Sequence, residues 1–416
     1  MTAERDVARH DRVTGRTKFA DDLEVDGVLY GAFVRIPHRR AVIDLIDTDL
    51  AANAPGIVRI FTAKDFGADG PPRFGPAVMD QPVLAVDEVK YEGEPVALVV
   101  ADTIEHARAA VRLVEVDSRQ LAGWHTVADA LASPPLHNPD NRGSDQSPWR
   151  DTNIMAAWDF GWGDVDRAVE DASVVVHNRY QAPFAHHFAI ETYSAVAIPE
   201  GEAIAVWDTV QHPFLERRLI AAMLDLPLEM VRVRAINMGG SFGGKGYPKL
   251  GPVVATFSRL LGRPLKITLS SEESFQTGQR EAADITVRSG FDENGVLLFQ
   301  DIRADFMVGA YTDISMRVVS KAGLHACGPY RTPAARIHAR GIFTTTPPTT
   351  AFRGFGAPHT AMAIEGQMDE AADQLGIDPL ELRLRNIRDK GESIVEFETP
   401  VDGDWGDLLR SASRHI

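Results

Sequence analysis

The sequence predicts a mixed α/β (α+β) protein of two domains, and three observations lead there. A short apolar run, Val96-Ala97-Leu98-Val99-Val100, precedes an alanine-rich segment suited to a helix. Much later, Val231-Arg232-Val233-Arg234-Ala235-Ile236 alternates as a half-buried strand does. Between them, residues 133–153 are rich in proline, asparagine, serine and aspartate, the composition of a linker. The expected units are therefore 1–132 and 154–416, joined by 133–153. At 416 residues and 44% hydrophobic, the chain can bury a core in each.

Taken in order, Tyr91-Glu92-Gly93-Glu94-Pro95 leads into the first apolar strand. Thr103 can cap the following helix, which carries Ala107, Ala109 and Ala110. Val111 to Val116 then reads as a returning strand, which completes a β-α-β unit. In the second domain Val253 to Leu261 is helical, with Gly262 placed to end it. Residues 284–308 read as a hairpin closed near Asp292-Glu293-Asn294-Gly295. The run Thr344 to Thr350, interrupted by Pro347-Pro348, cannot be regular structure. His359 to Leu375 is an amphipathic helix stopped by Gly376, and Asp378-Pro379 starts another.

Composition narrows the partners. The net charge of −16, with no basic run to break it, argues against nucleic acid or an anionic membrane surface. No apolar run is long enough to span a bilayer, and Met1 to Asp6 lacks the apolar core of a signal peptide. Cytoplasm is the expected location. One cysteine, Cys327, excludes a disulfide framework, a structural zinc site and an iron–sulfur cluster in this chain. It reads as a small buried hydrophobe.

Two glycine-rich turns carry the chemistry. The first is Gly239-Gly240-Ser241-Phe242-Gly243-Gly244-Lys245, directly after the alternating strand; the second is Ala351-Phe352-Arg353-Gly354-Phe355-Gly356-Ala357-Pro358. Glycines let a ligand approach main-chain amides closely, and Arg353 brings a planar fork suited to oxyanions. Phe355, between two glycines, is badly placed for a core and well placed to face a cavity. Together the turns suggest a large anionic ligand gripped from two sides. Alone, Gly239 to Lys245 is close to the phosphate loop Gly-x-x-x-x-Gly-Lys-Ser/Thr, but Gly246 stands where a hydroxyl should hold Mg²⁺. His186, His187 and Glu191 could be imagined as metal ligands; adjacent histidines point apart, and they read as structural or cavity-lining.

These residues, with others, resemble the molybdopterin-binding subunit of the xanthine dehydrogenase/aldehyde oxidase family of molybdenum hydroxylases. The likeness runs through Arg12 to Asp22, Val34-Arg35-Ile36-Pro37-His38, Tyr91 to Ala97, Gly163-Asp164-Val165-Asp166, both glycine turns, and Asp378 to Arg383. It implies an N-terminal α/β-hammerhead domain followed by the first half of a molybdopterin-binding domain. It further implies a molybdopterin cofactor with molybdenum, in the cytosine dinucleotide form, that hydroxylates a C–H bond with oxygen from water.

Residue by residue, the resemblance places Gln211, Gly240, Ser241, Phe242, Gly243, Gly244, Phe352, Arg353 and Gly354 at the cofactor. Gln211, Phe242 and Arg353 would be outer contacts of the metal. Lys321, Phe355 and Gly246 would face a heteroaromatic (nicotinate- or purine-like) or aldehyde substrate. Gly246 stands where purine-oxidising relatives have glutamate, Lys321 where they have arginine, His359 where the family has glutamine and Thr192 where it has proline. No catalytic residue is assigned here. The family's general-base glutamate lies in a segment that no part of this chain matches, so it is expected on a second molybdopterin subunit, as in the split arrangement of nicotinate dehydrogenase. Electrons would leave through 2Fe-2S and FAD subunits. The alternatives are a phosphate-loop NTPase, a non-catalytic cofactor-holding or assembly protein, and a piece of a longer chain.

Overall fold

The computed structural model describes residues 10–137, 151–395 and 398–414. Most of the expected linker, 138–150, lies outside them. Its flanks are anchored: the Asn153 carboxamide accepts from the Leu136 amide and donates to the Ala130 carbonyl, and Leu136, His137 and Asn153 are all buried.

The largest sheet has seven strands, in the order Val231–Ala235, Ala203–Asp208, Ser194–Glu200, Leu265–Thr268, Leu29–Arg35, Pro95–Ala101 and Ile57–Thr62. It therefore runs across residues 133–153: Leu29–Arg35 pairs in parallel with Leu265–Thr268, Leu29 opposite Leu265. The helix Gly251–Leu261 packs against this sheet and buries Val253, Val254 and Phe257 among Leu29, Phe61, Leu98 and Val206. A five-stranded sheet, Val174–Ala182, Ala282–Phe291, Leu297–Gly309, Ala334–Phe343 and Ile154–Trp162, carries the second large core. The helix Ala357–Leu375 covers it with Ala363, Ile364, Met368 and Ala371.

Local chemistry accounts for many boundaries. The Thr103 hydroxyl accepts the His106 amide at the start of Ile104–Val111, and Asp378 accepts two amides at the start of Pro379–Asn386. Gly262 and Gly376 adopt left-handed conformations that stop their helices. The hairpin between Ala282–Phe291 and Leu297–Gly309 turns where expected, with Asp292 accepting the Asn294 amide. Thr344 to Thr350 is irregular yet buried, its hydroxyls bonded within the fold, as in Thr349 to the Val308 carbonyl.

One expectation fails. Val111 is the last residue of its helix, and the next strand is Glu115–Gln120 rather than 111–116. That strand joins Ala41–Asp47 in a separate three-stranded sheet, while Pro95–Ala101 pairs antiparallel with both its neighbours. No parallel β-α-β pair forms there. Glu115–Gln120 is mostly exposed and polar, so no apolar run marked it. Among the described residues, no helix is long and apolar enough to cross a membrane.

Candidate functional site

The first turn grows from a parallel pair. Ala203–Asp208 and Val231–Ala235 run side by side with Asp208 opposite Ala235, so the segments after the two strands emerge at the same sheet end. Gln211 leaves one strand and Gly239 to Lys245 the other. The Gln211 amide donates to the Lys245 carbonyl at 2.9 Å, and the Ser241 hydroxyl donates to Gln211 Oε1 at 3.0 Å. Gly240 (φ 112°), Phe242 (φ 52°) and Gly243 (φ 107°) all take positive φ, outside the ordinary backbone regions. The amides of Gly240, Ser241, Phe242 and Gly243 have no hydrogen-bond partner among the described residues, and Phe242 is 49% exposed.

A buried ion pair supports this turn from below. Lys245, 2% exposed, donates from Nζ to Glu191 Oε2 at 2.7 Å, and the same oxygen accepts the Gly239 amide at 2.7 Å. Burial lowers the Lys245 pKa, with Glu191 opposing that shift. The lysine thus points into the protein, and the next helix begins only at Gly251. A phosphate loop needs a free lysine and an immediate helix, so the NTPase expectation is overturned. Tyr193 donates to the Gly244 carbonyl at 3.1 Å, and a Cβ on Gly244 would meet the His187 ring at 2.9 Å.

The histidines are committed to main chain. His187 Nε2 donates to the Ala351 carbonyl at 2.7 Å and His186 Nε2 to the Ser274 carbonyl at 3.1 Å. Burial pushes His187 down to about 4, so it stays neutral. Among the described residues, no group of three histidine, cysteine or carboxylate side chains could hold a metal ion.

The second turn locks onto the first. The Arg353 amide donates to the Phe242 carbonyl at 2.8 Å, and a Cβ on Gly243 would strike the Ala351 carbonyl. Only glycine allows that approach. Phe352 packs against His187 in a tilted pair, ring centroids 4.7 Å apart, and lies 5.5 Å from the Arg280 guanidinium, while the Arg353 side chain is exposed.

Phe355 corrects an expectation. It is half-buried and packs with Tyr247, Ile314, Val318 and Ala351, so it belongs to a small apolar cluster as well as to the turn. Lys321, on the helix Ser315–Leu324, holds its Nζ 5.7 Å from the Phe355 ring centroid. A buried acid lies beneath: Glu281 accepts from the Ser315 hydroxyl at 3.1 Å, and burial pushes its pKa up to about 7. Gly246 is buried, and a Cβ there would lie 3.6 Å from Gln211 Oε1.

The structure thus gathers Gln211, Gly240 to Gly244, Gly246 and Phe352 to Gly354 at one junction. Lys321 and Phe355 sit beside it, reached through Tyr247, which stacks on His212 at 5.0 Å. Glu191 as partner of Lys245, and Glu281 as the floor of the second turn, were not foreseen. The first pair is 54 residues apart, and no local pattern announces it. Four unpartnered amides, an exposed guanidinium and glycines that hold two main chains together suit an extended anionic cofactor.

Comparison with known proteins bears on which one. Residues 147–387 match the molybdopterin cofactor-binding domain, and 14–122 match the a/b hammerhead domain of aldehyde oxidase and xanthine dehydrogenase. The chain is 35% identical to a probable xanthine dehydrogenase subunit of Bacillus subtilis, covering 94% of this chain and 52% of that protein. It is 30% identical to the nicotinate dehydrogenase large molybdopterin subunit of Eubacterium barkeri, covering 92% of this chain and 88% of that one. Aldehyde oxidoreductase from Desulfovibrio gigas superposes with a TM-score of 0.88 at 25% identity, over 97% of this chain and 45% of that one. Quinoline 2-oxidoreductase from Pseudomonas putida 86 gives 0.87 at 25%, over 98% and 53%. The chain spans about half the length of the Bacillus relative and of these two structures.

Proposed function

The chain belongs to the aldehyde oxidase and xanthine dehydrogenase family as a molybdopterin cofactor-binding chain, and we propose that it is the large molybdopterin subunit of a split molybdenum hydroxylase. The observation that carries this reading is the junction of the two turns, where the Gly240 to Gly243 amides lie beside Gln211 and Arg353. Bound there, the molybdenum cofactor would supply oxidation of a substrate C–H to C–OH with oxygen derived from water.

The chain's own residues hold and tune. The Gln211 side chain and the Phe242 amide would donate to ligands of the metal, and Arg353 would reach the cofactor through its main chain. Such outer contacts orient a metal centre without ligating it. Gly240, Ser241, Gly243, Gly244, Phe352 and Gly354 line the same cradle, for the cytosine dinucleotide form. Phe355 would stack on a heteroaromatic or aldehyde substrate and Lys321 would anchor it. At Gly246 a side chain would first meet the Gly243 carbonyl, at 2.8 Å from a Cβ, with Gln211 Oε1 in ordinary contact at 3.6 Å.

General-base chemistry would come from a second molybdopterin subunit. Acids beside the junction are engaged: Glu191 by Lys245, Asp313 by Lys249 and Thr350, and Glu281 as a buried acid whose pKa is raised by desolvation. Electrons would pass to 2Fe-2S and FAD subunits, in the cytoplasm. The test is turnover by the chain alone against the chain with its second molybdopterin subunit. A general base contributes about 10²–10⁴-fold, so the chain alone should fall short by at least that factor. Equal rates would refute the split arrangement. A complex that holds molybdenum but oxidises no aldehyde, purine or heteroaromatic acid would favour a cofactor-holding role instead.

A further inference from the structure

Beside the Phe355 cluster lies an open cavity of about 550 Å³, between the helix Ser315–Leu324 and the segment at Pro76-Ala77. The Ala77 amide fixes one wall by donating to the Asp313 carbonyl at 3.2 Å. Trp158, Met316 and Leu324 supply apolar surface. The charged lining consists of Arg317 and Lys321, with the Ser320 hydroxyl between them, and no carboxylate is among the lining residues. By contrast Arg35, Arg340, Arg383 and Arg388 are each paired with an acid.

Neither cavity cation has an ion pair or side-chain hydrogen bond among the described residues. Lys321 faces the Phe355 ring, and the charge of Arg317 helps lower the phenol pKa of Tyr247, against the burial that raises it. Arg317 and Lys321 are four residues apart, so they lie one above the other on one helix face. The adjoining face, Ile314 and Val318, is the one packed on Phe355 and Tyr247. The size suits a small ring compound, and a guanidinium grips a carboxylate with two parallel hydrogen bonds where an ammonium acts as a point charge.

We propose that Arg317 determines substrate class: it holds the carboxylate of an aromatic or heteroaromatic acid whose ring lies in this cavity beside Lys321, against the Trp158 side. The inference rests on the reading of Lys321 and Phe355 as substrate-facing. It replaces the open choice among neutral aldehydes, purines and acids with ring carboxylates.

The test is calorimetric titration of the purified complex with nicotinate and with nicotinamide, which differ in the carboxylate alone, alongside molybdenum analysis of the same preparation. Nicotinate should bind more tightly than nicotinamide. Arg317→Gln should remove about 10–100-fold of that preference while nicotinamide binding stays as it was. Arg317→Lys should restore part of it, since charge returns without the fork. Equal binding of the two probes by the parent, or the same loss for both in Arg317→Gln, overturns the proposal. If molybdenum is present in that case, the family reading stands and the Arg317 assignment alone falls. A preparation that folds and assembles without molybdenum removes the functional reading, and with it this substrate site.

Discussion

The two glycine turns meet at one hydrogen bond, Arg353 amide to Phe242 carbonyl, yet they are held in opposite ways. The first rests on charge: Lys245 and Glu191 are paired beneath it, and Glu191 also holds the Gly239 amide. The second rests on packing: Phe355 sits in an apolar cluster, and the buried Glu281, its pKa raised by desolvation to about 7, accepts from Ser315 at the start of the helix that builds that cluster. The difference suits their parts. A turn that offers bare amides to an anion has no side chains left to pack, so its anchor must be electrostatic. A turn that offers an aromatic ring and a cation can be anchored by the ring itself.

The largest effect should come from breaking the electrostatic anchor. Lys245→Met leaves the Glu191 carboxylate, 15% exposed, with only the Gly239 amide as partner among the described residues. That costs up to about 3 kcal/mol, and chemical denaturation should show it. Lys245→Arg should cost less. If Lys245→Met is as stable as the parent, the turn does not rest on that pair.

The second turn should respond to pH between 5 and 8 through Glu281. A carboxyl that ionises near 4.5 in the unfolded chain is held to about 7 in the fold. The stability it contributes is full below pH 4.5 and is lost as pH rises through 7, a span worth roughly 3 kcal/mol. Glu281→Gln mimics the neutral acid, so its Tm should vary less than the parent's between pH 5 and pH 8, the gap opening on the alkaline side. Parallel Tm profiles would contradict a protonated Glu281.

Gln211→Ala sharpens the contrast from the ligand side. If Gln211 faces the reacting centre as proposed, this removes one hydrogen-bonding group worth on the order of 3 kcal/mol or about 100-fold in turnover, with molybdenum content kept. Unchanged turnover would show that Gln211 does not reach the metal's ligands.

Much of this was legible in the sequence because it is local. Left-handed glycines at Gly262 and Gly376, caps at Thr103 and Asp378, and the Asp292 to Gly295 turn each announce themselves within a few residues. The glycine turns are readable for the same reason. The hidden features depend on distance along the chain. The strand Glu115–Gln120 carries too little apolar surface to be seen, and Leu29–Arg35 gives no sign that it will pair with Leu265–Thr268. The packing of Phe355 was hidden because its partners, Ile314 and Val318, lie at the start of and within a helix distant in sequence.

The smallest effect concerns choice rather than chemistry. Lys321→Met should lower kcat/KM for an anionic substrate by about one to two powers of ten, from loss of a charge-assisted contact of roughly 1.5–3 kcal/mol, and should spare neutral aldehydes. Equal losses for both, or none, would return Lys321 to a packing role over Phe355.

The central claim is that the two turns form one cofactor cradle, and its most direct test is the molybdenum and pterin content of the purified complex carrying Gly243→Ala. The new methyl would strike the Ala351 carbonyl and force strain at φ 107°, parting the turns at their closest approach. The account predicts a folded complex with most of its molybdenum and pterin lost, while Gly262→Ala, at a left-handed helix end that is strained but in open space, keeps them. A Gly243→Ala complex with full cofactor content would contradict it.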